Sequence, residues 1–253
     1  MKITFLGTGT SQGVPVIGCQ CAVCTSDDNH DNRLRSSVMI EKDGRVAVID
    51  SGPDFRQQML REGVKRLDAL IFTHEHKDHI AGLDDIRAFN YVMKQKVDVY
   101  ATDRVQLAIR REFPYIFDEI KYPGIPELNM HTISNSAFTA AGIDFIPVEV
   151  VHYMLPVFGF RTGDFTYITD AKSITEQEKK KILGCHTIVI NALRHETHVS
   201  HFTLNEAVEL LLELKCKQGW LTHISHQLGK HIDVDSSLPS HIRCAYDGLK
   251  LEF

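Results

Sequence analysis

The stretch His74-x-His76-x-Asp78-His79 puts four metal-ligand side chains into six positions, directly after the short apolar run Leu70-Ile71-Phe72. At the end of an extended segment, residues two apart project to the same side, so His74 and His76 can grip one cation together. As the chain turns, Asp78 and His79 are placed to hold a second ion beside the first. Imidazole combined with carboxylate suits zinc, iron or manganese. Further ligand types stand where other expected strands give out: His152 after residues 148–151, Asp170 after 165–169 and His223 after 220–222.

Three of the six cysteines, Cys19, Cys21 and Cys24, also fall within six positions. Disulfides among them would close strained small loops. Three thiolates at this spacing instead suit a tetrahedral soft-metal site that lacks one ligand. Cys185, Cys216 and Cys244 are scattered singly and read as small buried hydrophobes, which suits a reducing, cytoplasmic compartment.

The background is that of an ordinary globular protein: 253 residues, 43% hydrophobic and 24% charged. That makeup excludes a disordered tail, a collagen or a disulfide scaffold. Twenty-eight Lys and Arg against 33 Asp and Glu leave a net charge of -5, so no global positive field draws in nucleic acid or anionic lipid. The 14 histidines, half as many as the Lys and Arg together, are the unusual entry in the composition and invite a search for metal ligands. No apolar run approaches the roughly 18 residues of a membrane helix. The first residues read as a strand, with too short an apolar run for a signal peptide.

The elements that position these residues follow from periodicity and turn chemistry. Residues 38–40 and 46–49 flank Asp43-Gly44, a hairpin turn signal, and a helix can begin near Pro53. A helix is expected after Gly82, a strand over 97–100 and a helix over 105–113. Two further hairpins turn at Ala141-Gly142 and Gly163-Asp164, and a strand covers 187–191. Thr175 to Glu178 and Thr203 to Glu206 read as capping boxes opening helices. No linker, repeat or charge run divides the chain, so residues 1–253 are read as one domain. The expected fold class is α+β, an αββα sandwich of two mainly antiparallel sheets flanked by helices.

The order His74-x-His76-x-Asp78-His79, His152, Asp170, His223 resembles the metallo-β-lactamase fold. More narrowly, the chain is similar to the PhnP phosphodiesterases associated with carbon–phosphorus lyase. That match rests on Gly7-Thr8-Gly9, Gly13-Val14-Pro15, Gly18-Cys19-x-Cys21-x-x-Cys24, Ile49-Asp50-x-Gly52 and Thr222-His223-Ile224-Ser225-His226-Gln227, with Leu238-Pro239 and Tyr246-Asp247-Gly248 near the end. The resemblance implies one ion held by His74, His76 and His152, a second by Asp78, His79 and His223, and Asp170 bridging them, with manganese or zinc as the catalytic metal. It also implies a structural zinc on Cys19, Cys21, Cys24 and His226, and a homodimer.

Under the same resemblance His201 is the proton-transferring histidine and, with Asp78, the expected catalytic pair; His195 and His198 lie close enough to compete for the role. Asp50 reads either as an acceptor orienting a ligand imidazole or as a turn-forming aspartate. The implied activity is hydrolysis of a small phosphodiester, such as a ribosyl 1,2-cyclic phosphate, by a metal-bridging hydroxide with His201 as general acid. One rival is a tRNA 3′-processing endonuclease. It is disfavoured because only 17 residues lie between His152 and Asp170, where bacterial forms carry a long arm, and because the net charge is negative. The other rival is a lactonase or thioesterase on the same dimetal scaffold. Arg33, Arg35 and Arg194 are the candidate phosphate-binding cations, each expected to be a solvated surface charge in the absence of a partner. Residues 112–129 have no counterpart in the family pattern.

Overall fold

The computed structural model describes residues 1–120 and 122–253; Lys121, inside the segment without a family counterpart, lies outside the described residues. The first sheet is built from β1 (Lys2–Gly7), β2 (Ser37–Lys42), β3 (Arg45–Ile49), β4 (Ala69–Ile71), β5 (Val97–Ala101) and β6 (Leu128–Thr132). The second contains β7 (Phe138–Ala140), β8 (Ile143–His152), β9 (Leu155–Thr162), β10 (Phe165–Tyr167), β11 (Ser173–Ile174), β12 (Thr187–Asn191), β13 (Gln218–Thr222) and β14 (Ile242–Cys244). The chain then returns to the first sheet as its edge strand β15 (Lys250–Glu252).

The helices are α1 (Phe55–Arg61), α2 (Lys77–Ile80), α3 (Arg87–Met93), α4 (Asp103–Glu112), α5 (Glu176–Ile182), α6 (Leu204–Glu213) and α7 (His231–Ser237). Period-two alternation sorts the side chains into layers. In β3, Ala47 and Ile49 face the space between the sheets, whereas Val46 and Val48 face α1, α3 and α4. In β12, Val189 faces the partner sheet and Ile188 and Ile190 face α5, α6 and α7. The inter-sheet core is dominated by Phe5, Phe145, Phe160, Phe165 and Tyr167, all fully buried. Each such side chain stabilises the fold by roughly 1.5–3 kcal/mol. The result is the expected four-layer αββα sandwich.

The sheets themselves are mixed, not mainly antiparallel. From β15 to β3 the pairing is antiparallel, and from β3 to β6 it is parallel. The second sheet repeats this: antiparallel from β11 through β8 and β9 to β10, then parallel through β12, β13 and β14. Hairpin signals announce the antiparallel halves. The parallel halves are joined by helical crossovers, which parallel strands require.

Local chemistry sets the helix entries. Thr203 and Glu206 form a complete capping box on α6. At α5 only half of the expected box forms: Thr175 Oγ1 accepts from Glu178 N, but the Glu178 carboxylate is drawn away to Glu149 N on β8 and to Asn135. The helix is thereby tied to the sheet instead of to its own first turn. Among the described residues no helix is long and apolar enough to cross a membrane.

Candidate active site

The ligand-type residues gather where strands end. Asp50 follows β3, the histidine motif follows β4, His152 ends β8, Asp170 lies shortly after β10, and His223 follows β13. Asp50, Asp170 and His223 all adopt left-handed backbone conformations, with φ of 64°, 58° and 55°. Such angles are uncommon outside glycine and concentrate at functional turns. At Gly52 the reason for glycine is steric: a Cβ there would overlap the Asp78 carbonyl oxygen. The missing side chain lets the 50–52 turn close against the 78–79 turn, where Ser51 N donates to His79 O at 2.8 Å.

Two four-residue groups result. His74, His76, His152 and Asp170 offer ligand atoms within 4.8 Å of one another, and so do Asp78, His79, Asp170 and His223. Asp170 belongs to both. His74, His79, His152, Asp170 and His223 are buried, Asp78 is half-buried, and His76 alone is exposed, so the site opens to solvent beside His76.

A second layer of contacts aims the imidazoles, and sequence reasoning missed most of it. His152 Nδ1 donates to Ser200 O at 2.9 Å, leaving Nε2 free for the site. His74 Nδ1 lies 2.9 Å from Thr73 Oγ1. His223 is held by Thr10 Oγ1 at 3.3 Å from Nε2 and Ser36 Oγ at 3.1 Å from Nδ1. Asn191 clasps the Asp170 turn by accepting from Ala171 N and donating to Ala171 O. Of this layer only Asp50 had a sequence signal, through its place at the end of β3. Its carboxylate is the acceptor that orients His79 Nδ1, and it also accepts from Thr73 N and Thr73 Oγ1.

Electrostatics suit a cation. Burial pushes His74 well below the usual imidazole value, lowers His152 and takes His223 down to about 4, keeping lone pairs available. Burial alone would raise Asp170 and Asp78, but the imidazoles of His223 and His79 hold Asp170 well below the usual carboxylate range, and His79 does the same for Asp78. His79 moves upward because Asp78, Asp170 and Asp50 outweigh its own desolvation. His79 Nε2 is buried without a hydrogen-bond partner, facing Asp78 Oδ2 at 3.2 Å and Asp170 Oδ1 at 3.4 Å. An orphaned imidazole nitrogen between two carboxylates is what a missing cation leaves, so the donor set fits divalent metal.

The three candidate proton donors separate in space. His201 Nε2 lies 3.3 Å from Asp170 Oδ2, and its ring stacks on His223 at 4.9 Å between centroids. His198 stands behind it, with its Nδ1 3.2 Å from His201 Nδ1. His195 is turned away and bonds Leu228 O.

Cys19, Cys21, Cys24 and His226 form the third cluster. His226 Nδ1 lies 3.3, 3.4 and 3.4 Å from the three sulfurs. Zinc bonds of about 2.3 Å to sulfur and 2.0 Å to nitrogen in a tetrahedron separate ligand atoms by roughly 3.5 Å, so this set fits zinc. The Cys24 N–H and His226 lower the Cys21 thiol to about 6, a thiolate at neutral pH. The cysteine loop is also tied to the His223 segment: Thr10 N donates to Ile224 O and Ile224 N to Thr8 O.

Two of the candidate cations are not solvated surface charges. Arg33 is 4% exposed, its guanidinium donating to Thr8 Oγ1 and Ala245 O and meeting His231 Nδ1, so it clamps the chain's two ends together. Arg35 pairs with Asp54 at 2.9 Å. Arg194 is half-buried and bonds Gln227 and the 196–197 backbone.

Residues 45–224 match the beta-lactamase superfamily domain. The chain is 38% identical over 253 residues to an octanoyltransferase of Porphyromonas gingivalis, covering 99% of this chain and 51% of that one, so it spans about half the length of that relative. It is 25% identical over 224 residues to coenzyme PQQ synthesis protein B of Methylorubrum extorquens, covering 76% of this chain and 72% of that protein. Among solved structures, a diphosphatase from the PhnP family superposes with a TM-score of 0.94 at 42% identity, over 100% of this chain and 97% of that one. Human short-form tRNase Z superposes at 0.71 and 18% identity, over 100% and 99% of the two chains, a likeness of fold. The domain match over most of the chain and the near-complete superposition agree with the ligand pattern: the chain belongs to the metallo-β-lactamase superfamily and is PhnP-like.

Proposed function

We propose that the protein is a dinuclear-metal phosphodiesterase that hydrolyses a small phosphodiester. The observation that carries this reading is the sharing of Asp170 between two ligand groups, with His201 Nε2 3.3 Å from the same carboxylate. Two divalent ions in such a pair, manganese or zinc, activate water near neutral pH and neutralise charge developing on phosphoryl oxygens. His74, His76 and His152 would hold one ion and Asp78, His79 and His223 the other, with Asp170 within reach of both.

The chain's own residues supply orientation and the proton. His201 Nδ1 is anchored by Ser200 Oγ at 3.0 Å, which leaves Nε2 to protonate the departing alkoxide as the P–O bond breaks. Asp50, Thr73 and Ser200 keep the ligand imidazoles aimed, so little reorganisation is needed during reaction. The Cys19–Cys21–Cys24–His226 set would hold a structural zinc, and the pairing of Thr8 and Thr10 with Ile224 ties the same loop to the His223 segment. Three unpaired buried cysteines and a thiolate site suit a reducing cytoplasm. The net charge of -5 and the short 153–169 connection favour a small molecule over a nucleic acid.

A second reading, hydrolysis of a diphosphate, is favoured by the likeness to the PhnP-family diphosphatase. The test is one panel assayed with manganese- and zinc-loaded protein: cyclic and linear phosphodiesters, a diphosphate, a lactone and a thioester. Turnover of the diesters above all others is expected. A preference for diphosphate selects the second reading, and a preference for lactone or thioester overturns both.

A further inference from the structure

Ser200 stands where three histidines meet. Its carbonyl oxygen accepts from His152 Nδ1 at 2.9 Å, its N–H donates to His198 Nδ1 at 3.3 Å, and its hydroxyl lies 3.1 Å from His198 Nδ1 and 3.0 Å from His201 Nδ1. The two Nδ1 atoms are themselves 3.2 Å apart, with His201 buried and His198 half-buried behind it. His198 belongs to none of the three ligand clusters. Arg194 shapes the loop that delivers it: the guanidinium donates to Glu196 O and Thr197 O and is anchored on Gln227 Oε1.

Donor and acceptor roles in this group follow from one fixed point. A backbone N–H can only donate, so the His198 Nδ1 that accepts from Ser200 N carries no proton. The proton between that bare nitrogen and the Ser200 hydroxyl is then the hydroxyl's own. Ser200 Oγ is left with lone pairs towards His201 Nδ1, and His198 Nδ1 offers the same ring nitrogen a second acceptor. Both neighbours accept, so His201 Nδ1 donates. Its other nitrogen, Nε2, faces Asp170 Oδ2 at 3.3 Å. Burial, and then the nearby His201 and Arg194, push His198 below the usual imidazole value, which keeps it in the neutral form that this arrangement needs.

We infer that His198 is a positioning residue for His201: its bare Nδ1, with the Ser200 hydroxyl that it orients, fixes a proton on His201 Nδ1 and reserves Nε2 for proton exchange at the ligand cluster. Without His198 the Ser200 hydroxyl can donate or accept, and the proton of a neutral His201 can sit on either nitrogen. The difference matters to an acid. A ring that holds Nδ1–H becomes neutral when it gives up its Nε2 proton, whereas a ring with a bare Nδ1 would have to become an anion. The inference rests on the reading of His201 as general acid, but the place of the proton can be measured without any turnover.

The test compares wild type, His198→Asn and His198→Ala as zinc-loaded proteins. Asparagine can place its amide oxygen where the acceptor Nδ1 stands, and alanine removes the acceptor. Heteronuclear NMR of the imidazole nitrogens, at about pH 8.5 where an ordinary histidine is neutral, reports which nitrogen of His201 holds the proton. Nδ1 is expected in wild type and His198→Asn, and a mixture of the two tautomers in His198→Ala. Hydrolysis of a diester with an alkyl leaving group is expected to fall about 10- to 100-fold in His198→Ala, part of what a general acid contributes, and to be largely kept in His198→Asn. The same substitution made in His201→Ala should cost nothing further, because His198 acts through His201. The inference is overturned by a His201 proton on Nε2 in wild type, by an unchanged tautomer in His198→Ala, by His198→Asn behaving as His198→Ala, by metal lost from His198→Ala, or by a further loss in the double variant. Mixed tautomers in His198→Ala, with His201→Ala losing equally for alkyl and p-nitrophenolate leaving groups, leave the positioning role standing and remove the acid role of His201.

Discussion

His79 Nδ1 lies 2.7 Å from Asp50 Oδ2, and both side chains are fully buried. Asp50 belongs to neither ligand group; it acts by fixing which nitrogen of His79 faces Asp78 and Asp170. Because Asp50 sits at a φ of 64°, asparagine is the substitution that keeps the backbone while removing the charge. Asp50→Asn is expected to fold and to bind divalent metal about 10- to 100-fold more weakly. Chelator competition measures this, and wild-type affinity would show that the pair does not aim the ligand.

His201 lies outside the ligand groups but within 3.3 Å of Asp170. His201→Ala is therefore expected to retain its metals and to lose about 10²- to 10⁴-fold in turnover of a diester with an alkyl leaving group. The loss should be much smaller with p-nitrophenolate, which departs without a proton. Equal losses for both leaving groups would rule out the acid role.

The histidine motif is legible in the sequence because its members are local: ligand types crowd a turn after an apolar strand. The strand-end residues His152, Asp170 and His223 can be found because each closes an alternating run. What holds them cannot be found this way. Ser36 and Thr10 reach His223 across 187 and 213 positions, and Ser200 reaches His152 across 48, contacts fixed only by how the sheets pack. The same limit applies to the parallel strands, since alternation within a strand says nothing about the direction of its neighbour. Arg33 misleads for a related reason: a lone arginine reads as surface, and its burial depends on carbonyl and hydroxyl acceptors brought by residues 8 and 245.

Cys21 contributes one sulfur to the Cys3His cluster, 3.4 Å from His226 Nδ1. Cys21→Ser is expected to lose one zinc per chain by elemental analysis. Its thermal midpoint should fall by about 5 °C or more, as a loss of ~2 kcal/mol gives in a chain of this size. Full zinc content with an unchanged midpoint would contradict a structural role.

Acid should destabilise the metal-free protein. Burial holds His74, His152 and His223 below the usual imidazole value of 6.5, His223 at about 4. Between those values the unfolded chain binds more protons than the folded one, so stability falls as pH falls. His79, shifted upward, runs the other way around pH 6.5, where the unfolded chain takes up its proton, but it is one group against three. The denaturant midpoint of chelator-treated protein is expected to drop between about pH 7 and pH 5. A level or rising midpoint contradicts the neutral, buried state of these ligands.

The most direct test of the central claim is a metal titration of the metal-free protein, followed by hydrolysis of bis-p-nitrophenyl phosphate. Three clusters, two of them joined through Asp170, predict that the rate reaches its plateau at three ions per chain, one on the cysteines and two at the active site. Maximal rate with a single ion outside the cysteine cluster, or full hydrolysis without added metal, would contradict a dinuclear catalytic centre.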